Sequence, residues 1–412
     1  MPAPLFPAPL TLNSGIRARD AWPLDPDIIH LNHGSFGAVP TAVVEQQDAL
    51  RRRADLSPVE WFPRIAERVR DARERTAPFV GAHAEDSVFV PNASAAATVV
   101  YNAMHLERGD EILVTDQGYG AITMGAQRLA RRFGASVRAV ELPLLSSDDE
   151  VVQRFADALT PSTRLIVVDQ ITSPTARMLP TRRIAELAAE RGVRTLVDGA
   201  HAPGLVADAA AAAGGDWWFG NLHKWPCAPR GSALLVTNAP DRDDLWPLID
   251  SWAANEPYPE RFDTQGTIDA TTYLATPASI EFIEAEFGWH NARRAMAQIA
   301  DAGAEIIAEG LRPYGDDDPL TPLPSPVPSM RLVRLPLGLG STREEADALR
   351  MDLLDETGVE TAFTSFRGIG YFRLSAHLYT EASDFETFVE RCIPQILRRA
   401  GIRTTADSLI VP

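Results

Sequence analysis

One lysine stands out in a chain whose other basic residues are all arginine. The 412 residues include 39 Lys and Arg together, and the single lysine among them is Lys224. Arginine can replace lysine at most surface and salt-bridge positions, but its guanidinium stays protonated and cannot condense with an aldehyde. Lys224 is therefore a candidate for amine chemistry, and the alternative is a surface lysine that survived by chance.

An acidic residue that could serve the same chemistry follows an apolar run earlier in the chain. The run Val193–Val197 leads into Asp198, and the next apolar run, Trp217–Phe219, ends shortly before Lys224. Neighbouring parallel strands end at the same edge of a sheet, so these two side chains are expected to lie within one ligand's length of each other. A buried carboxylate needs a positive partner, and a protonated pyridine nitrogen is one. An imine-forming lysine and such a carboxylate are what pyridoxal 5'-phosphate requires, so we predict this cofactor. Taken alone, Asp198 could instead be a helix N-cap.

The elements that must position these residues alternate between short β-branched runs and segments of helical period. This alternation predicts an α/β fold with a mostly parallel, seven-stranded sheet and helices on both faces. The predicted strands are Ser87–Val90, Glu111–Thr115, Ser136–Leu142, Leu165–Ile171, Val193–Val197, Trp217–Phe219 and Ala233–Thr237. The clearest helical segments between them are Ala95–Met104, Ala121–Phe133 and Arg182–Arg191.

Three regions follow from the same patterns. Residues 1–30 are a Pro-rich N-terminal segment, residues 31–270 form the large cofactor-binding domain, and residues 271–412 form a smaller α+β domain. The smaller domain is predicted from two strands, Met330–Leu335 and Tyr371–Ser375, and from a capping box at Thr342–Glu345 that opens a helix.

Several motifs at these positions carry a resemblance to a known family. They are Leu31–Gly37, Val197–Gly204, Gly220–Trp225, Ala228–Gly231 and Phe372–Tyr379. With them, the chain resembles the class V aminotransferase family of fold-type I pyridoxal-phosphate enzymes from about residue 28 to residue 395, and within that family the isopenicillin N epimerase-like branch. The motif around the lysine is specific for the family and not for one reaction.

The resemblance implies roles for the residues at the strand ends. Lys224 would form the imine with the cofactor, Asp198 would hold the ring nitrogen, and His201 would bond the phenolic oxygen. Tyr119 matches the aromatic position that stacks on the cofactor ring, whereas a core tyrosine is the alternative from sequence alone. These four are the predicted catalytic residues. Two further residues are expected to line the cofactor: Thr172 and Ser173.

The cofactor phosphate is expected at the start of a helix. Asn92–Ala93–Ser94 follows a strand and precedes an alanine-rich helix, so it supplies an N-cap and backbone donors, although a plain N-cap is the alternative. The resemblance adds Asn221 and His223 from the opposite side. It also implies that Gly266 and Thr267 reach the phosphate of a second subunit, which predicts a homodimer with shared sites. A simple turn is the alternative for that segment.

The predicted partner is a small-molecule amino-acid substrate whose carboxylate binds an arginine. Arg373 occupies the family position for this role, and a planar guanidinium can bind a carboxylate through two parallel bonds. Asn32 and His33 are expected to border the same pocket. The segment Thr361–Gly368 lacks the cysteine that cysteine desulfurases of this fold carry on a loop before that arginine, which argues against desulfurase activity.

The reaction is left open by these residues, because several outcomes start from the same carbanion at the substrate's Cα. The leading hypothesis is β-elimination by a carbon–sulfur lyase acting on a cysteine S-conjugate in a secondary-metabolite or small-thiol pathway. The alternatives are an amino-acid epimerase, with Tyr119 or His33 as the acid on the opposite face, an aminotransferase, and oxidative decarboxylation or deamination of a cysteine conjugate.

Composition excludes other classes of protein. The chain carries 39 basic and 56 acidic residues, a net charge of −17, so neither nucleic acid nor an anionic membrane is an expected partner. Two cysteines rule out a disulfide framework and a cysteine-based zinc site, and we predict no metal. The first ten residues lack the features of a signal peptide, so the expected location is the cytoplasm.

Overall fold

The structure, a computed structural model, describes residues 6–315 and 317–402. Its strands in chain order are β1 Ile29–His30, β2 Ser87–Val90, β3 Glu111–Thr115, β4 Ser136–Val140, β5 Thr163–Asp169, β6 Arg194–Asp198, β7 Trp217–Asn221, β8 Ala233–Thr237, β9 Met330–Arg334, β10 Val359–Glu360, β11 Phe363–Phe366 and β12 Ile369–Ser375. The α-helices are α1 His33–Phe36, α2 Thr41–Leu56, α3 Pro58–Trp61, α4 Ile65–Thr76, α5 Ala93–Ala103, α6 Gly120–Phe133, α7 Asp148–Ala158, α8 Thr181–Ala189, α9 Ala209–Ala213, α10 Thr271–Glu286, α11 Trp289–Leu311, α12 Arg343–Thr357 and α13 Ala382–Arg399.

A mostly parallel sheet of seven strands confirms the predicted fold class. The strand order is β2-β8-β7-β6-β5-β3-β4, and β8 runs antiparallel to both of its neighbours. Strands β2, β7 and β8 are buried at every residue, as expected when both faces of a sheet are covered. Three strands have the predicted bounds, whereas β5 begins and ends two residues before the predicted Leu165–Ile171.

The domain division differs from the predicted one at both boundaries. One compact unit comprises residues 37–173 and 177–285, and the other comprises the chain up to Phe36, residues 174–176 and the chain from Glu286. The N-terminal segment joins the second unit because β1 pairs with β10. Helix α10, predicted to open the small domain, contributes most of its length to the large unit, where Thr276 bonds Ser232 at 2.7 Å.

The second unit is built on a three-stranded antiparallel sheet in the order β11-β12-β9. Phe372 of β12 stacks on Phe388 of α13, with ring centroids 4.7 Å apart, in a core shared with α11 and α12. The predicted capping box is present, because Thr342 accepts from the Glu345 N–H and the Glu345 carboxylate accepts from the Thr342 N–H. No helix in the described residues is long and apolar enough to cross a membrane.

A buried tryptophan fixes the turn that follows β6. Trp218 of β7 is fully buried, and its indole N–H donates to Gln170 at 2.9 Å. A Cβ atom added to Gly199, directly after Asp198, would overlap that indole. The glycine of this motif is therefore required by close packing of the turn against the neighbouring strand.

We expect Gly199→Ala to lower the free energy of unfolding by about 1–3 kcal/mol, because the new methyl group must displace Trp218 or the turn. Denaturant unfolding of the purified variant measures the loss. Gly315→Ala is the matched control, since a Cβ atom there meets nothing closer than 4.0 Å and the backbone φ is −152°. Equal stabilities for the two variants would contradict this account of the turn.

Candidate active site

Asp198 ends β6 at the carboxyl edge of the sheet and is 3% exposed. Its Oδ1 accepts the Ala200 N–H at 2.9 Å, while its Oδ2 has no hydrogen-bond partner among the described residues. Burial raises the pKa of Asp198 to about 6, although the Ala200 N–H and the positive charge of Lys224 oppose the shift. The site therefore holds a buried carboxylate oxygen that needs a positive or hydrogen-donating partner.

Lys224 and His201 meet beside this carboxylate. Lys224 follows β7 on a tight turn, and its Nζ lies 2.9 Å from His201 Nε2. Both side chains are buried. The turn is held from the other side by Gly37, where an added Cβ atom would overlap the His223 carbonyl and the backbone φ is +70°. The structure thus brings together the three polar residues that the sequence analysis assigned to the cofactor.

These residues fit pyridoxal phosphate by the chemistry of their donors and acceptors. The unpartnered Oδ2 of Asp198 suits a protonated ring nitrogen, which would also favour the charged form of the carboxylate. Lys224 supplies the amine, and the imidazole of His201 supplies a polar group next to it. Tyr119 is the N-terminal cap of α6 and is 48% exposed, so it is not the buried core tyrosine that was the alternative.

The start of α5 offers fewer phosphate donors than the sequence predicted. Asn92 Oδ1 accepts the Ala95 N–H, and Asn221 Oδ1 accepts the Ala93 N–H, both at 2.9 Å. Asn92 is thus an N-cap, and Asn221 joins β7 to the same helix start. Ser94 is exposed in the first turn of α5. Within Asn92–Ala93–Ser94, the N–H and hydroxyl of Ser94 are therefore the donors best placed to bind an anion.

His223 is neutral at ordinary pH. Burial and the nearby Lys224 lower the pKa of His223 to about 4. Its Nδ1 lies 3.2 Å from the Ser232 carbonyl, so Nδ1 carries the proton and Nε2 is an acceptor. A bond from this imidazole to phosphate therefore requires a second proton, which a dianion close by would favour.

The remaining predicted cofactor residues lie in two loops. The Thr172 hydroxyl donates to the Arg177 carbonyl at 3.2 Å and accepts the Arg177 N–H at 2.9 Å, so it has a local backbone role, and Ser173 beside it is half-buried. Gly266 and Thr267 are both exposed, and Gly266 has a left-handed φ of +78°. The cofactor-binding roles of these four residues stay predictions.

The predicted substrate residues belong to the other unit. Arg373 of β12 is 4% exposed, and its Nη2 lies 3.2 Å from Ser35 Oγ and 3.4 Å from Asn32 Oδ1. The Asn32 amide donates to the Thr361 carbonyl at 2.9 Å. Asn32, Ser35 and Arg373 thus form one polar cluster within this unit, and the substrate-binding roles of Asn32 and Arg373 stay predictions.

His33 lies deeper than a residue at a pocket wall. It is fully buried and stacks on His377, with ring centroids 4.1 Å apart, and its Nδ1 is 2.9 Å from the Tyr379 hydroxyl. These contacts give His33 a packing role within its unit. Its predicted part in substrate binding rests on the resemblance alone.

A second buried aspartate was missed by the sequence analysis. Asp169 is the last residue of β5 and pairs in register with Asp198. The predicted strand ran on to Ile171, which placed Asp169 inside a strand instead of at its carboxyl end. A strand prediction that stops at the first acidic residue would place Asp169 at the strand end, where polar residues are candidates for the site.

The chain is similar to several known proteins. The family model described as aminotransferase class-V matches residues 59–310. Isopenicillin N epimerase of Amycolatopsis lactamdurans is 32% identical over 90% of this chain and 96% of its own length. Hercynylcysteine sulfoxide lyase of Schizosaccharomyces pombe is 26% identical over 88% of this chain and 93% of its own length. A solved structure of a C-DES variant with glycine linked to its pyridoxal phosphate superposes with a TM-score of 0.74 at 20% identity, covering 90% of this chain and 98% of that one, and shows the shared fold.

We expect Asp198→Asn to stabilise the cofactor-free protein at neutral pH. Because the folded-state pKa of Asp198, about 6, lies above its ordinary value of 3.8, the folded chain loses stability as the pH rises from about 4 to about 6. The neutral amide escapes this loss, so the free energy of unfolding should rise by about 1–3 kcal/mol at pH 7 and by much less near pH 4.

The measurement is denaturant unfolding of both proteins without cofactor across this pH range. Asp243→Asn is the control, because that carboxylate is 78% exposed and its ion pair with Arg261 is long at 3.9 Å, so the change should have little effect on stability at either pH. The same Asp198 variant should gain less stability than the wild type when pyridoxal phosphate is added. A variant that is less stable at pH 7 and equally stabilised by the cofactor would contradict both expectations.

Proposed function

This chain belongs to the aminotransferase class-V family and is a pyridoxal-phosphate-dependent enzyme, and we propose from this premise that it is a carbon–sulfur β-lyase acting on a cysteine S-conjugate. The observation that carries the proposal is the buried pair formed by Lys224 and His201, 2.9 Å apart beside Asp198. β-Elimination needs one base at Cα, one electron acceptor and a leaving group on Cβ. The pair supplies that base.

The residues of the large unit divide this chemistry between them. Bound pyridoxal phosphate supplies an aldehyde that condenses with an amine and a ring that accepts the electron pair released at the substrate's Cα. Asp198 keeps a proton at the ring nitrogen, because the buried carboxylate is stabilised by that positive charge. Lys224 Nζ removes the Cα proton, and His201 holds Nζ in place through their hydrogen bond.

The guanidinium of Arg373 suits the carboxylate of an amino-acid substrate. The Arg373 guanidinium is buried and contacts the side chains of Asn32 and Ser35. A bidentate bond to a carboxylate fixes both the position and the rotation of the substrate about its Cα. Arg373 is therefore proposed as the substrate-carboxylate residue.

Neither cysteine suits the nucleophilic role that a desulfurase requires. Cys227 and Cys392 are both fully buried. Burial raises the pKa of the Cys392 thiol to about 11, so it stays protonated, and the thiolate is the reactive form. The described part of the chain thus supports direct elimination at Cβ in preference to attack by a cysteine on the substrate sulfur.

Epimerisation is the second candidate, and one observation favours it. Isopenicillin N epimerases of Amycolatopsis lactamdurans and Streptomyces clavuligerus are 32% and 31% identical to this chain, above the 26% of the sulfoxide lyase. An epimerase needs a second proton donor opposite the lysine. Tyr119 is the residue of the large unit that fits, since its half-exposed side chain follows a strand end.

The two functions differ in their products. Incubation of the cofactor-bound protein with an S-alkyl-L-cysteine should release a thiol, pyruvate and ammonia, whereas an epimerase would yield the D-amino acid and no pyruvate. Lys224→Ala should lose the visible band of the bound cofactor and reduce product formation by roughly three orders of magnitude or more, because both the amine and the base are removed.

Lys224→Arg is the matched control for charge, since the guanidinium keeps the positive charge and cannot condense with an aldehyde. It should be as inactive as the alanine variant. Borohydride reduction of the wild type should label a single peptide, because the chain has one lysine. A visible band that persists in the alanine variant would remove Lys224 from its proposed role.

A homodimer with shared sites is part of the proposal. Gly266 and Thr267 form an exposed turn, and the residues before it are anchored by a buried ion pair in which Arg73 Nη2 lies 2.9 Å from Asp263 Oδ2. A firmly held turn with an exposed hydroxyl and N–H suits a phosphate outside its own chain. We infer that Thr267 reaches the cofactor phosphate of the partner subunit.

Mixing two inactive variants tests this sharing. Lys224→Ala dimers and Thr267→Pro dimers should each be inactive, but a hybrid dimer has one site with an intact lysine and an intact threonine. Random exchange should restore about one quarter of wild-type activity, because half of the dimers are hybrids and one of their two sites is complete. Shared sites would be ruled out if activity does not recover although subunit exchange has been verified. Full activity in a monomer would rule them out as well.

A further inference from the structure

Two carboxylates lie side by side at the carboxyl ends of β5 and β6. Asp169 and Asp198 are paired in register on parallel strands, which directs their side chains to the same face of the sheet at neighbouring positions. Asp169 is 5% exposed and Asp198 is 3% exposed. Two ionised carboxylates in such surroundings would repel each other with little water to screen them.

The charged groups around this pair cannot neutralise both members. The positive charge of Lys224, which follows β7, lowers the pKa of both carboxylates. The same ammonium group is also hydrogen-bonded to His201 at 2.9 Å. Tyr101 of α5 also faces the pair, but its hydroxyl donates to the Ile122 carbonyl at 3.0 Å. One positive charge balances only one of two buried carboxylates. The other is therefore expected to keep its proton and remain a neutral acid.

Asp169 is the member that remains neutral. Burial and the negative charge of Asp198 both raise its pKa well above the ordinary range. Asp198 has the stronger stabilisation of its charged form once the ring nitrogen proposed above lies beside it, because that positive charge outweighs the backbone N–H groups that act on each of the two carboxylates. The proton of the pair therefore stays on Asp169.

The neutral acid has a second contact that matters for the site. The Tyr119 backbone N–H donates to Asp169, and the carboxyl packs against the turn before α6, where a Cβ atom added to Gly118 would lie 3.5 Å from Asp169 Oδ2. This turn presents the Tyr119 side chain that the sequence analysis assigned to stacking on the cofactor ring. A carboxyl without charge can hold the turn without competing with Asp198 for the ring nitrogen.

We propose that Asp169 is a positioning residue kept as a neutral carboxylic acid, which fixes the Gly118–Tyr119 turn and leaves Asp198 as the one negative charge at the cofactor ring. The proposal rests on the ring-nitrogen role of Asp198 proposed above. It requires that a neutral side chain of the same shape can replace Asp169 and that a side chain without an acceptor cannot.

Infrared spectroscopy of the cofactor-bound protein tests the protonation state directly. The wild type should show a carbonyl-stretch band of a protonated carboxylic acid at neutral pH that shifts in heavy water, and Asp169→Asn should lose it. Asp110→Asn is the matched control, because Asp110 is 7% exposed but paired with Arg164 at 3.1 Å, and should leave the band unchanged. Absence of a band that depends on Asp169 would overturn the proposal.

Cofactor binding tests the positioning role. Asp169→Asn should keep the affinity for pyridoxal phosphate within about twofold and leave the pH dependence of the bound cofactor's absorbance unchanged, because the charge and the acceptor are preserved. Asp169→Ala should bind it roughly tenfold more weakly, because the Tyr119 N–H loses its acceptor. A pH profile that moves by about one unit or more in the asparagine variant would show that Asp169 is ionised. Equal affinities of the asparagine and alanine variants would contradict its hold on the turn.

These measurements separate the inference from the proposed reaction, because none of them uses a substrate. If the protein cleaves no cysteine conjugate, the infrared band and the cofactor titrations still decide the state and role of Asp169. If Asp198→Asn leaves the bound cofactor's absorbance unaltered at every pH, the ring-nitrogen role fails, and the band of Asp169 is then judged on its own.

Discussion

Burying a carboxylate at the end of β6 costs several kcal/mol unless a positive group comes to it. One oxygen of Asp198 accepts a backbone N–H, and the other has no hydrogen-bond partner in the described residues. The positive charge of Lys224 stabilises the ionised form of this carboxylate. In the proposed role of Asp198, a protonated ring nitrogen would be that positive group. The same burial that raises the pKa of Asp198 would then favour binding of the cofactor.

Close packing restrains the two turns that carry Asp198 and Lys224. Trp218 fills the space beside Gly199 and donates to Gln170, so the turn after β6 has little freedom to move. Gly37 abuts the backbone of the lysine loop, which positions Lys224 against His201 from the opposite side. Close packing of this kind keeps catalytic groups within the narrow range of geometry that proton transfer requires.

Much of the fold and the identity of the central residues could be predicted without coordinates. Strands β2, β3 and β8 have the predicted bounds because apolar runs bounded by turn residues are local signals. The remaining differences have two causes. The pairing of β1 with β10 joins residues more than 300 positions apart, so no local pattern predicts it. The end of β5 is predicted two residues too late because Gln170 and Ile171 continue the extended pattern, which hides Asp169 as a strand end.

Residue types and their order along the chain predict one side-chain amine, an aspartate at the end of the strand before it, and a position for both at the carboxyl edge of an α/β sheet. Which groups remain available for a ligand depends on contacts between distant parts of the chain. Asn221 takes the Ala93 N–H, the Ser232 carbonyl leaves His223 as an acceptor, and β5 places Asp169 beside Asp198. Residue type determines which hydrogen bonds a side chain can donate or accept. Strand order and register determine which neighbour becomes its hydrogen-bond partner, and both depend on the packing of the whole chain.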